Sequence, residues 1–174
     1  GRYELAEKLA KDLIDRFPNH PFGWKVLGVL LKQSGRISQA LVTNQKSVAL
    51  APDDPGAHNN LGSAFLAVGR LEEAELSYKK ATTLKPDYAE AYSNLGNALQ
   101  ELGKLEDAEV SHRKAIALKP DFIAAYFNLG AVLQLLNRLE AAEASYRAAI
   151  KLAPDYAKAH NNLGNVLQAL GRLE

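Results

Sequence analysis

Five prolines in this chain, Pro18, Pro52, Pro86, Pro120 and Pro154, stand 34 residues apart. Leu27, Leu61, Leu95, Leu129 and Leu163 keep the same interval, as do Gly28, Gly62, Gly96, Gly130 and Gly164, and Ala6, Ala40, Ala74, Ala108 and Ala142. Agreement among four residue types defines a repeating unit. A fixed period of this length marks a stack of small units, each burying its apolar face against the next.

Each unit reads as two helices. In 89–122, the first covers about Ala89 to Leu102, with Asp87 as N-cap and Glu90 completing a capping box. Gly103 closes it in the left-handed conformation. The second runs from about Leu105 to Leu118 and stops at Pro120, which removes a backbone donor. Glu109 and Arg113 form an i,i+4 pair, repeated by Glu75 with Lys79 and Glu143 with Arg147. Gly96, Ala108 and Ala115 are small enough for the two helices to cross closely, and Leu95, Leu99, Leu102, Leu105, Ile116 and Leu118 fill the space around that crossing.

The spacing of Trp24, Leu27, Gly28, Ala40 and Pro52 resembles the tetratricopeptide repeat (TPR) signature, as does that of Tyr92, Leu95, Gly96, Ala108, Ala115 and Pro120. The resemblance covers essentially the whole chain. It implies an all-α solenoid of about ten helices, with antiparallel pairs stacked into a right-handed superhelix and the first helix of each pair lining a concave groove. The frame makes residues 1–174 a single TPR array. Residues 1–20 are the second helix of a truncated repeat, 21–54, 55–88, 89–122 and 123–156 are full repeats, and 157–174 are the first helix of a truncated one. Asn44 stands where later repeats have Tyr78, His112 and Tyr146, and Ser47 replaces the alanine of Ala81, so looser packing is expected in the first full repeat.

Within 89–102, Ala91, Leu95, Ala98, Leu99 and Leu102 share one side at helical spacing. Glu90, Ser93, Asn94, Asn97, Gln100 and Glu101 share the other, which the resemblance places in the groove. That polar side carries a ladder of amides. Asn60, Asn94, Asn128 and Asn162 recur every 34 residues, Asn97 and Asn165 lie one turn on, and Gln100, Gln134 and Gln168 one turn beyond. Solvated helix faces usually carry Lys and Glu, better helix formers than Asn. An amide offers both a donor and an acceptor and so matches the backbone of an extended peptide. The blocks Tyr92-Ser93-Asn94-Leu95-Gly96-Asn97 and His160-Asn161-Asn162-Leu163-Gly164-Asn165 also resemble TPR arrays of O-linked N-acetylglucosamine transferases, whose asparagine ladder grips the substrate backbone. That resemblance applies to Asn60, Asn94, Asn128 and Asn162. Two readings are open: the ladder faces a ligand, or it is inherited by duplication and bonds neighbouring helices. Phe127 is likewise either an apolar anchor for a ligand or a contact with an adjacent first helix.

Other chemistries fit the residues poorly. The clamp by which some TPR domains hold acidic C-termini needs Lys, Asn and Arg at set places. Lys25 begins such a set, but Val29 and Glu90 replace two of its members. In a later frame Asn97, Asn128 and Lys158 fit, whereas Ser93 and Asn162 do not. His58 and His160 share the slot of Trp24, Tyr92 and Tyr126, His112 replaces a tyrosine and His20 lies in a turn, so packing rather than metal binding is expected. With 21 Lys and Arg against 20 Asp and Glu, the formal charge is +1. Lys25, Lys32 and Lys158 against Glu90 and Glu101 give no basic track for nucleic acid. There is no cysteine. No nucleophile–base pair and no phosphate loop stand out, so neither catalysis nor a cofactor is expected of this segment.

The sequence thus predicts a module that binds a protein or extended peptide, cytoplasmic and without membrane insertion, since no run of 18 apolar residues occurs. A self-assembling scaffold joined through uncapped ends is the alternative, as is the substrate-docking arm of a glycosyltransferase. Gly1 reads as a cut boundary. Gly171-Arg172-Leu173-Glu174 stops where a second helix should begin, so further repeats or a downstream domain are expected.

Overall fold

Helices are the only regular elements in the computed structural model, which describes residues 2–172. Gly1, Leu173 and Glu174, including the expected start of a further helix, lie outside the described residues. The ten helices among the described residues are α1 (Arg2–Arg16), α2 (Pro21–Gln33), α3 (Ile37–Leu50), α4 (Pro55–Ala67), α5 (Leu71–Leu84), α6 (Ala89–Glu101), α7 (Leu105–Leu118), α8 (Ile123–Leu135), α9 (Leu139–Leu152) and α10 (Ala157–Ala169). They fall into two compact units, Gly1–Pro86 and Asp87–Glu174. In the first unit each of α1–α5 packs on the next, and the first helices α2 and α4 also touch. In the second, α6–α10 do the same, with α6 against α8 and α8 against α10.

Local chemistry sets the helix ends. Gly103 takes φ 73° after α6, and Asn137 takes φ 57° at the matching place after α8. Asparagine is among the few residues besides glycine that adopt this conformation readily. Asp87 does not cap α6, however. The cap residue is Tyr88, and Asp87 contributes only its backbone carbonyl, which accepts from the Ala89 N–H at 3.1 Å. The capping slot lies one residue later than the sequence suggested. In α4 that slot holds Asp54, whose Oδ1 accepts from the N–H groups of Gly56 at 2.8 Å and Ala57 at 3.3 Å. Glu90 pairs outward with Lys119 at 3.1 Å.

Alanine makes the core tight. Ala40, Ala74, Ala108 and Ala142 are fully buried, which lets neighbouring backbones approach. At each of four crossings, the first-helix glycine receives one side chain from the second helix of its own repeat, a ring in three of them and the shorter Asn44 in the first. A Cβ on Gly28, Gly62, Gly96 or Gly130 would sit 2.0 Å from Asn44 Oδ1, 2.8 Å from the Tyr78 ring, 2.6 Å from the His112 ring or 2.7 Å from the Tyr146 ring, respectively. Leu95 and Leu99 are buried around the third crossing, and Leu102, Leu105, Ile116 and Leu118 are half-buried beside it.

Ion pairs tie consecutive repeats together outside the core. Arg36 reaches back to Glu7, Arg138 to Glu109 and Arg172 to Glu143, each across 29 residues. The same glutamates receive the residue one turn along their own helix: Lys11 to Glu7 at 2.7 Å, Arg113 to Glu109 at 2.9 Å, and Arg147 to Glu143. Hydrogen bonding to Arg36 and Lys11 holds the Glu7 carboxyl down to about 2.

Candidate functional site

The amides of the second unit project from three first helices: Asn94, Asn97 and Gln100 from α6, Asn128 and Gln134 from α8, and Asn162, Asn165 and Gln168 from α10. Residues three apart on a helix share a face, so each helix carries a short row. Asn128 Nδ2 donates to Asn97 Oδ1 at 2.8 Å, linking α8 to α6. A second link runs through a residue that the sequence pattern did not assign to the site. The Tyr146 hydroxyl donates to Gln134 Oε1 at 3.2 Å and accepts from Asn162 Nδ2 at 3.2 Å. Burial pushes this phenol up in pKa, and the Asn162 bond partly offsets the rise. The signal for Tyr146 was present in the repeat phase, where it faces the recurring glycine position, but it read as core.

The remaining predicted residues are placed as follows. Asn94 and Gln100 are half-buried, and Asn94 has a hydrogen-bonding or charge partner. Asn165 and Gln168 are exposed. Asn60 belongs to the first unit, and its backbone carbonyl accepts from Asn44 Nδ2 at 3.3 Å. Phe127 is half-buried, its ring centroid 5.8 Å from that of Tyr146 and 5.1 Å from that of Tyr156, so it packs against α9 and the residue that begins α10. Ser93, expected on the polar side, is buried instead.

An amide has two donor hydrogens and two acceptor lone pairs, so one bond to a neighbour leaves capacity for a ligand. The predicted set holds no titratable side chain and offers only neutral hydrogen bonding. Lys25, the start of a carboxylate clamp, is held by Asp54 at 2.7 Å. His58 and His160 bond the carbonyls of Pro52 and Pro154 at 2.8 Å, as Trp24 bonds that of Pro18, which pins each first helix to the turn before it. No group of three potential metal ligands occurs among the described residues. No described helix is long and apolar enough to cross a membrane. A separate apolar cleft of about 380 Å³ opens between α7, α8 and α9, lined by Ile116, Ala117, Tyr126 and Ala148, and it includes none of the predicted amides.

Comparison with known proteins agrees with this architecture. A model described as TPR repeat matches residues 64–103 and 135–171, and one described as tetratricopeptide repeat matches 89–122. No curated protein sequence matches the chain. Among solved structures, the thermophilic TPR protein TTC0263 of Thermus thermophilus is 26% identical with a TM-score of 0.79, over 97% of this chain and 92% of that one. MamA is 26% identical with a TM-score of 0.78, over 90% and 91%. The first TPR of Spaghetti (RPAP3), bound to the HSP90 peptide SRMEEVD, is 28% identical with a TM-score of 0.67, over 68% of this chain and 94% of that one. Period, helix pairs, glycine crossings and these matches converge: the chain belongs to the tetratricopeptide repeat family.

Proposed function

We propose that this chain is a non-catalytic module that binds an extended peptide segment of a partner protein, gripping its backbone with the amides of α6, α8 and α10. The observation that carries the reading is the 2.8 Å bond between Asn128 and Asn97. It brings amides of consecutive repeats within hydrogen-bond reach, so they act as a row rather than as isolated surface groups. An extended strand advances about 3.3 Å per residue and presents a donor and an acceptor at each, the same pair of functions each amide offers. Recognition of this kind depends little on ligand side chains. The Spaghetti TPR, similar in fold and sequence, is bound to a peptide.

The test is a peptide array probed with the wild-type protein and with a triple variant, Asn94→Ala, Asn128→Ala and Asn162→Ala, both confirmed helical by circular dichroism. Wild type should bind many unrelated extended peptides, the variant few, and N-methylation of a peptide's backbone amides should abolish its binding. Equal binding by both proteins would make the row a helix-to-helix device only.

A further inference from the structure

In the second unit the second helices stand further apart than the first helices. The backbones of α6 and α8 approach each other, as do those of α8 and α10, whereas α7 and α9 each pack on α8 and not on one another. The gap between α7 and α9 is the apolar cleft of about 380 Å³, floored by Tyr126 and Leu129 of α8.

The wall that α9 gives this cleft sets it apart from the second helices of the other full repeats. Ala141, Ala144 and Ala148 line it, at i, i+3 and i+7 of one helical face. One period earlier those positions hold Asp107, Val110 and Lys114, two periods earlier Glu73, Leu76 and Lys80, and three periods earlier Gln39, Val42 and Lys46. Side chains that elsewhere stand above the helix are reduced here to methyl groups, over about two turns. On the α7 side the wall is Ile116 and Ala117. Such a surface admits another helix to short range, because the separation of packed helices is set by the side chains at their contact.

The charges around the cleft are sorted along it. Its lining contains one cation, Arg113, and no carboxylate. Glu106 and Glu140 are exposed in the first turns of α7 and α9, Arg113 and Arg147 are exposed two turns on, and Lys151 is exposed in the last turn of α9. Glu109 and Glu143 do not cancel the basic end, because each is shared by two arginines: Arg113 with Arg138, and Arg147 with Arg172. The glutamates lie mostly buried under these pairs and the arginines outside, so a partner meets a surface that is acidic at one end and basic at the other.

We propose that the cleft docks an amphipathic α-helix of a partner protein, laid antiparallel to α7 and α9, with large apolar side chains over the alanine wall and an acidic first turn between Arg113, Arg147 and Lys151. Helices favour acidic residues in the first turn and basic ones in the last. Antiparallel placement therefore sets both ends of the incoming helix against opposite charge, and parallel placement sets both against like charge. Apolar anchors spaced along one helical face suit a groove between two helices. The surface is separate from the amide row and does not depend on it.

The probe is a synthetic amphipathic helix of about 15 residues, with leucines on one face, glutamates in its first turn, lysines in its last, and a lactam bridge on the opposite face. A control peptide exchanges the glutamates and lysines and keeps the leucines. Binding is read by fluorescence anisotropy. One variant, Ala141→Glu with Ala144→Leu and Ala148→Lys, gives α9 the surface that α5 carries at Glu73, Leu76 and Lys80, so folding should survive. Wild type should bind the acid-first helix saturably and severalfold more tightly than the control, and the difference should shrink with salt. The α9 variant should weaken binding by about tenfold or more, Lys151→Glu should narrow the preference between the two peptides, and the triple amide variant should bind as wild type does. No saturable binding, equal affinity for the two peptides, undiminished binding by the α9 variant, or loss of binding in the amide variant would each overturn the proposal. So would a wild-type dimer in sedimentation that the α9 variant dissociates, since the occupant would then be a second copy of this chain.

Discussion

Arg172 donates to Glu143 Oε2 at 2.9 Å from 29 residues down the chain. The Glu143 side chain is 8% exposed and the Arg172 side chain 53%, so the pair is solvated from one side. Exposed or half-exposed pairs contribute about 0.2–1 kcal/mol and weaken with salt. A double-mutant cycle on Arg172→Ala and Glu143→Gln, read by urea unfolding, should give a coupling in that range at low ionic strength. It should shrink severalfold in molar salt. A coupling that does not respond to salt would mean that the contact is steric rather than ionic.

The glycine crossings differ in how much room they leave. Gly96→Leu should cost about 1–3 kcal/mol or more by overpacking, because even a Cβ there meets the His112 ring at 2.6 Å. Gly164 meets nothing within 4 Å among the described residues, so Gly164→Ala should be neutral or stabilise by up to about 1 kcal/mol through helix propensity. Thermal melts of the two variants should therefore move in opposite directions or differ by several degrees.

His112 introduces a pH dependence. Its ring is fully buried with no partner at either nitrogen, and burial lowers its pKa from 6.5 to about 4. The unfolded chain then binds a proton that the folded chain refuses. Stability is complete above pH 6.5 and is lost as pH falls from there toward 4. At pH 5 the loss from this residue is about 2 kcal/mol. Comparing urea midpoints at pH 7.5 and 5 should show that drop in the wild type and its removal in His112→Tyr, which adopts the residue of the neighbouring repeats.

Phe127→Ala should lower stability by about 1–3 kcal/mol, since it removes a half-buried ring packed at a tilt against Tyr146 and Tyr156. A melt unchanged from wild type, with peptide binding lost, would instead assign the ring to the ligand.

The period alone carried the fold, because a glycine, an alanine and a proline recurring in phase leave few ways to pack two helices. The amide row was also legible, since position on a helix face follows from spacing. Whether Asn128 would meet Asn97 was not, because that depends on how far apart two first helices stand. Asp87 misled because a capping carboxylate is recognised by type, whereas the slot is set by where the chain turns. That slot is 20, 54, 88, 122 and 156, and only His20 and Asp54 carry a capping side chain there. Asn44 stood out in the sequence as a weak spot in packing. Its meaning as a shortened tyrosine required knowing that the Tyr146 hydroxyl ends between Gln134 and Asn162.

The bridges across 29 residues have the same chemistry at each junction that carries one, so they hold no record of which repeat follows which. Excising residues 123–156 would bring Arg172 to the place of Arg138, opposite Glu109, and Asn162 to the place of Asn128, opposite Asn97. The shortened chain would close over the cut with its junction chemistry restored. Junctions of this kind would let an array gain or lose a whole unit without leaving an arginine or an amide at the cut without its counterpart.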